Sequence, residues 1–171
     1  AKSKNRRYNK TVMIKLASKR IARRNYKTGV NEMGLVYAEL DLLNGGDVYL
    51  FRQNLLDEIE IKRVNITALV DTGAYMLSIN ENIKTQLDLP VIEKQFVTLA
   101  DDSTIEVEIV GPVEVRFENR RTSVDAVVLP GDAEVLLGAI PMEDMDVLVD
   151  PRQQKLVVNP KHPYVATKYL K

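Results

Sequence analysis

The chain has no cysteine, no tryptophan and a single histidine among its 171 residues. Without cysteine there is no disulfide, no thiol nucleophile and no zinc–thiolate site, and a reducing cytoplasm is the expected setting. The one histidine, His162, cannot build a metal site alone, and a neutral catalytic histidine needs an orienting partner. It lies in Asn159-Pro160-Lys161-His162-Pro163, a turn-like tail, and is expected to be a solvated bystander. No apolar run approaches the ~18 residues that a membrane span requires. The basic N-terminus lacks the apolar stretch and small-residue cleavage site of a secretory signal. No membrane partner is therefore expected.

What is present is divided. The net charge of zero conceals two opposed pieces. Residues 1–32 hold 11 Lys/Arg against one acid, Glu32, whereas residues 33–171 hold 13 Lys/Arg against 23 Asp/Glu. That split describes a basic N-terminal extension, 1–32, on an acidic domain, 33–171. The extension opens with composition typical of disorder, then shows a weak helical stripe in Met13, Leu16, Ala17 and Ile21. Two readings stand for it: a bland one, in which it is a solvated extension, an artificial addition or the result of a start site placed too early, and a sharp one, in which it is an arm for nucleic acid, an anionic membrane or a partner. The acidic body repels phosphate, so any nucleic-acid contact is confined to 1–32.

From Met33 the texture is β, with 45% hydrophobic residues over the whole chain to build a core. Leu35, Tyr37 and Leu40 fall in a strand-like stretch, and Asn44-Gly45-Gly46-Asp47 reads as a turn. A short strand is expected over 48–51, a polar connection over 53–62, and an alternating β-branched strand over 63–70. A short helix follows at 80–87, ended before Pro90. Stretches 96–100 and 105–110 flank Asp101-Asp102-Ser103 as a hairpin with a polar tip. Strands are expected again at 113–117, 123–129, 147–149 and 155–158, with a short helical piece at 141–145. Many short strands punctuated by turns, with little helix, describe an all-β closed or folded sheet.

One segment points to chemistry. In Ala68-Leu69-Val70-Asp71-Thr72-Gly73-Ala74 an apolar strand runs straight into an acid, a hydroxyl and a glycine. Such an aspartate is held beside the core, and the glycine lets a backbone N–H approach its carboxylate. Asp, Thr and Gly are also ordinary turn residues. The flanks argue against a plain turn, because Tyr75-Met76-Leu77-Ser78-Ile79 continues as another strand-like run. The remaining acid pairs, Asp101-Asp102 and Glu143-Asp144, lack the strand-into-glycine setting and read as solvated.

The stretch resembles the catalytic loop of retropepsin-like (clan AA) aspartic proteases, in their bacterial and cyanobacterial branch. Val97 to Ile105 resembles the flap hairpin of that branch, and Val135-Leu136-Leu137-Gly138 resembles the family's second signature, which packs behind the catalytic loop. Many relatives carry Asp or Asn soon after that glycine, where this chain has Ala139-Ile140-Pro141. The resemblance covers about residues 33–160. It implies a retropepsin-like half-barrel with one or two short helices. It also implies an aspartic endopeptidase that cleaves peptide or protein substrates as a homodimer, because the chain has only one Asp-Thr-Gly. Asp71 is then the catalytic acid/base. Thr72, Gly73, Ala74, Leu137 and Gly138 support the loop, and Ala100, Asp101, Asp102, Ser103 and Thr104 form the flap over the substrate. The alternatives are a binding or scaffold protein that keeps this fold without catalysis, and a nucleic-acid-associated protein led by its basic arm.

Overall fold

The frame is set by the first strand. In the computed structural model, which describes residues 34–98 and 102–170, β1 (Val36–Asn44) buries Val36, Ala38, Leu40 and Leu42 and exposes Tyr37 and Glu39. This period of two turns one face to the core. β2 (Arg63–Val70) pairs antiparallel with β1, Val36 opposite Val70 and Leu42 opposite Val64. The extension at 1–32 lies outside the described residues, as do Ala100 and Asp101.

The other strands are β3 (Leu77–Asn80), β4 (Val91–Thr98), β5 (Thr104–Phe117), β6 (Arg120–Leu129), β7 (Leu136–Leu137), β8 (Val147–Asp150) and β9 (Lys155–Val158). The order β5-β6-β3-β7-β2-β1 is closed by a second pairing of β5 with β1, so six strands form a ring. β4 branches from the ring on β5, and β9 with β8 branches from β1. The fold is all-β and retropepsin-like. Inside the ring lie Leu40, Leu42, Leu77, Ile79, Leu137 and Met145, all fully buried. Each contributes about 1.5–3 kcal/mol of burial.

Three features depart from the sequence reading. First, the turn at 44–47 and the strand at 48–51 are replaced by a helix, α1 (Gly45–Arg52). The polar cluster is its N-cap: Asn44 Oδ1 accepts the Asp47 N–H at 3.1 Å. Only Val48 of this apolar run is buried, against Leu43 and Ile61 on the outside of the barrel. Second, the expected strands at 105–110 and 113–117 are one strand, β5, whose register with β6 shifts between Val110 and Val113. At that shift Gly111 takes φ 157°, where a side chain is strained, and a Cβ there would stand 2.5 Å from Asp125 Oδ1. Third, β4 begins at Val91, several residues before the expected start at 96, because pairing with β5 extends from Thr98–Thr104 to Val91–Val110.

The short helices α2 (Glu81–Gln86) and α3 (Ala139–Met145) stand close to where the sequence puts them. Asn80 caps α2 through Ile83 N–H at 3.0 Å. Among the described residues no helix is long and apolar enough to cross a membrane.

Candidate active site

β2 delivers Asp71. Ala68 and Leu69 are buried, Val70 is half-buried, and the strand ends there. The chain then makes a tight turn in which Ala74 N–H donates to Asp71 O at 3.0 Å. Within it, Gly73 N–H donates to Asp71 Oδ1 at 2.8 Å. The other oxygen, Oδ2, makes no hydrogen bond among the described residues. Asp71 is half-buried, and Thr72 and Gly73 are exposed. One carboxylate oxygen is thus fixed by a backbone donor.

The loop is held from behind by the segment containing Leu137 and Gly138. β7 is inserted between β2 and β3, the two strands the loop connects, parallel to β2 and antiparallel to β3. Leu69 N–H donates to Val135 O at 2.9 Å, and Asp71 N–H to Leu137 O at 3.0 Å. Next, Ala139 N–H donates to Ala74 O at 2.9 Å and Ile140 N–H to Tyr75 O at 3.2 Å.

Those two amides open α3, whose N-cap is Gly138 with no side chain to cap it. The carbonyls of the Asp71 loop therefore satisfy donors that a helix start leaves unpaired. Gly138 makes this approach possible: a Cβ there would stand 2.3 Å from Met76 O and 2.8 Å from Met76 N. Pro141 is accommodated within the first turn of α3, where its missing N–H costs nothing. Ala139 and Ile140 hold the Asp71 loop through their amides, a role that the sequence reading did not single out. The available signal was a helix start without Ser, Thr, Asp or Asn at its cap, which implies donors used elsewhere.

The structure therefore brings Asp71, Thr72, Gly73, Ala74, Leu137 and Gly138 together. Asp102, Ser103 and Thr104 are exposed at the turn end of the β4–β5 hairpin, with Asp102 in the left-handed region at φ 61°. Nearly all of β4 is exposed, Phe96 at 76%. The hairpin is not detached from the loop, however. Met76, just past the loop, and Val97 and Ile105 of the hairpin pack on one cluster of Val107, Ile109 and Val127.

Two readings of individual residues are corrected. His162 is not a solvated bystander. Its side chain is only 22% exposed, and Nδ1 lies 2.7 Å from Asp146 Oδ2. Asp144, grouped with Glu143 as a solvated helix acid, accepts from Thr122 Oγ1 and pairs with Lys168. Asp146 is the more strongly held acid. The Thr167 amide above all, then Asn159 and His162, pull its carboxyl down to about 2 against the opposing effect of burial. Among the described residues no three His, Cys, Asp or Glu are grouped to hold a metal ion.

A family model described as gag-polyprotein putative aspartyl protease matches residues 58–144. The chain belongs to this family. The aspartyl protease match runs from the 3-10 turn Glu58–Glu60 into α3, and so contains the Asp71 loop, the β4–β5 hairpin and the Leu137-Gly138 support. β1, β8, β9 and the tail after β9 lie outside it. No curated protein matches the chain.

Proposed function

We propose that the protein is an aspartic endopeptidase active as a homodimer, each subunit giving Asp71 as its catalytic carboxylate. The observation that carries this reading is the state of that carboxylate. It sits on a loop braced by β7 and α3, one oxygen is fixed by Gly73 N–H, and the other has no hydrogen-bond partner among the described residues. The chain has a single Asp-Thr-Gly, so one subunit supplies half of a dyad. A two-fold axis beside the loop completes it by bringing in the same residue from a second copy.

Two carboxylates facing each other at that axis cannot both ionise at low cost, so they hold one proton between them. The ionised member takes a proton from a water molecule as that water attacks the peptide carbonyl. The protonated member gives its proton to the carbonyl oxygen, forming a tetrahedral diol. Collapse of the diol breaks the C–N bond as the protonated carboxyl gives its proton to the nitrogen and the ionised one takes a proton from a diol hydroxyl, which restores the shared-proton state. Thr72 ties the paired loops together, Gly73 brings its N–H to the carboxylate, and Ala74 is small enough to let the loop pack. Leu137 and Gly138 hold that loop from behind. The hairpin carrying residues 100–104 covers the peptide. No step calls for a metal or an organic cofactor, and a cysteine-free chain suits a reducing cytoplasm.

The test is cleavage of an unstructured protein by the wild type and by Asp71→Asn, with sedimentation at micromolar concentration alongside. Activity is expected to fall at least about 100-fold while the variant stays folded and dimeric. Equal cleavage by both proteins, or full activity from a strict monomer, overturns the reading.

A further inference from the structure

The chain does not stop at the last strand of the barrel. After β9 it continues as an irregular strap along residues 159–170, with no strand pairing of its own. An irregular segment that stays against a domain needs anchors for its backbone groups. Here they are polar and concentrated. Asp146 holds the strap at three separate points: Asn159 Nδ2 at 2.8 Å, His162 Nδ1 at 2.7 Å and the Thr167 amide at 3.0 Å. Its own carbonyl also accepts Asn159 N–H at 3.1 Å. From the β5–β6 turn, buried Arg120 donates to His162 O and Asn119 Nδ2 to Pro163 O. The apolar side chains Tyr164, Val165, Tyr169 and Leu170 remain exposed, so burial does not hold the strap.

Asp146 is also the residue that terminates α3, as its left-handed C-cap at φ 53°. α3 is a rod of seven residues, about 10 Å long at the usual rise. Its inner side, with Pro141, Met142 and Met145, is buried in the core. Its first two amides are the ones that hold Ala74 O and Tyr75 O of the catalytic loop. One short rod therefore has the strap at one end and the catalytic loop at the other. Catalytic geometry is sensitive to displacements of an ångström, and a rod of two turns passes a tilt at one end to the other.

We infer that the strap is a positioning device for the catalytic loop, and that Asp146 is the positioning residue through which it acts. The effect on turnover rests on the proposed role of Asp71; the mechanical coupling does not. Two variants weaken the hold on the strap in different ways. Asp146→Asn removes the charged acceptor at the hub. Thr167→Pro leaves Asp146 in place and deletes one donor of the strap.

Amide hydrogen exchange is measured at Ala139 and Ile140, with β2 amides as the internal control, together with steady-state kinetics. In both variants exchange at Ala139 and Ile140 is expected to quicken on the order of tenfold, while β2 stays within about twofold of wild type. The value of kcat is expected to fall on the order of tenfold, with KM changed by less than about twofold. Unchanged exchange at Ala139 and Ile140 overturns the inference. So does equal quickening in β2, which is the mark of general loosening, and so does faster exchange with kcat unaltered. If even the wild type cleaves nothing, the Asp71 reading fails, and the exchange data alone decide whether strap and loop are coupled.

Discussion

Replacing Gly138 with alanine adds one methyl group where the two halves of the candidate site meet. That methyl would lie 2.3 Å from Met76 O, 2.8 Å from Met76 N and 2.8 Å from Tyr75 C. All three are backbone atoms, so no side-chain rotation relieves the contact. Overpacking costs about 1–3 kcal/mol, and a rigid neighbour places this case at the upper end. Relief requires the 74–76 backbone to move away from α3. That movement lengthens the Ala139–Ala74 and Ile140–Tyr75 hydrogen bonds, now 2.9 and 3.2 Å, each worth about 1 kcal/mol net. The expected loss is about 4 kcal/mol. For a domain of this size that lowers Tm by roughly 10–15 °C. Thermal unfolding followed by circular dichroism measures it. Proteolytic activity is expected to disappear at temperatures where the variant is still folded, since the Asp71 amide is bonded to Leu137, the neighbour of the substituted residue. A Tm within about 2 °C of wild type would show that the loop and α3 are not in the tight contact on which the site depends.

Asn44→Ala should cost about 2–3 kcal/mol in urea unfolding, because Asn44 caps α1 and also donates to Leu87 O at 2.9 Å and Asp88 O at 3.2 Å. An unchanged midpoint would mean that those bonds contribute nothing net. Asp146 gives a dependence on pH. Its folded value of about 2 lies below the ordinary 3.8, so its stabilising contribution is complete above about 4 and is lost as pH falls through about 2. The stability gap between wild type and Asp146→Asn should therefore narrow as melts are taken from pH 5 down to pH 2, and a gap that stays constant refutes it.

The Asp71 loop was legible because its signal is local. The apolar lead-in of Ala68, Leu69 and Val70, the acid and the following glycine are contiguous, and β2 ends where that pattern ends. The Leu137-Gly138 support was legible only through its resemblance, since nothing in the letters says which backbone Gly138 must approach. Residues 48–51 misled because Val48, Tyr49, Leu50 and Phe51 have strand-like composition, whereas the capping bond from Asn44 and the burial of Val48 alone select a helix. Asp146 and His162 were missed for a different reason. They meet across a chain reversal, and a single histidine in a Pro-rich tail carries no sequence sign that a carboxylate waits for it. Ring closure was equally hidden, since β5 changes neighbours part-way along and joins β1 only near its C-terminal end.

The insertion of β7 between β2 and β3 has a consequence for how the chain comes into being. The two strands joined by the Asp71 loop do not pair with each other; the short strand that separates them comes from far downstream. Contacts between residues distant in sequence form late, after the entropy of closing the intervening chain has been met. During synthesis from the N-terminus, Asp71 emerges early, but the carbonyl of Leu137 that receives its amide emerges only after β6. The bracing of this loop is thus a property of the finished barrel, and a chain still short of Leu137 carries Asp71 without the hydrogen bond that holds its amide.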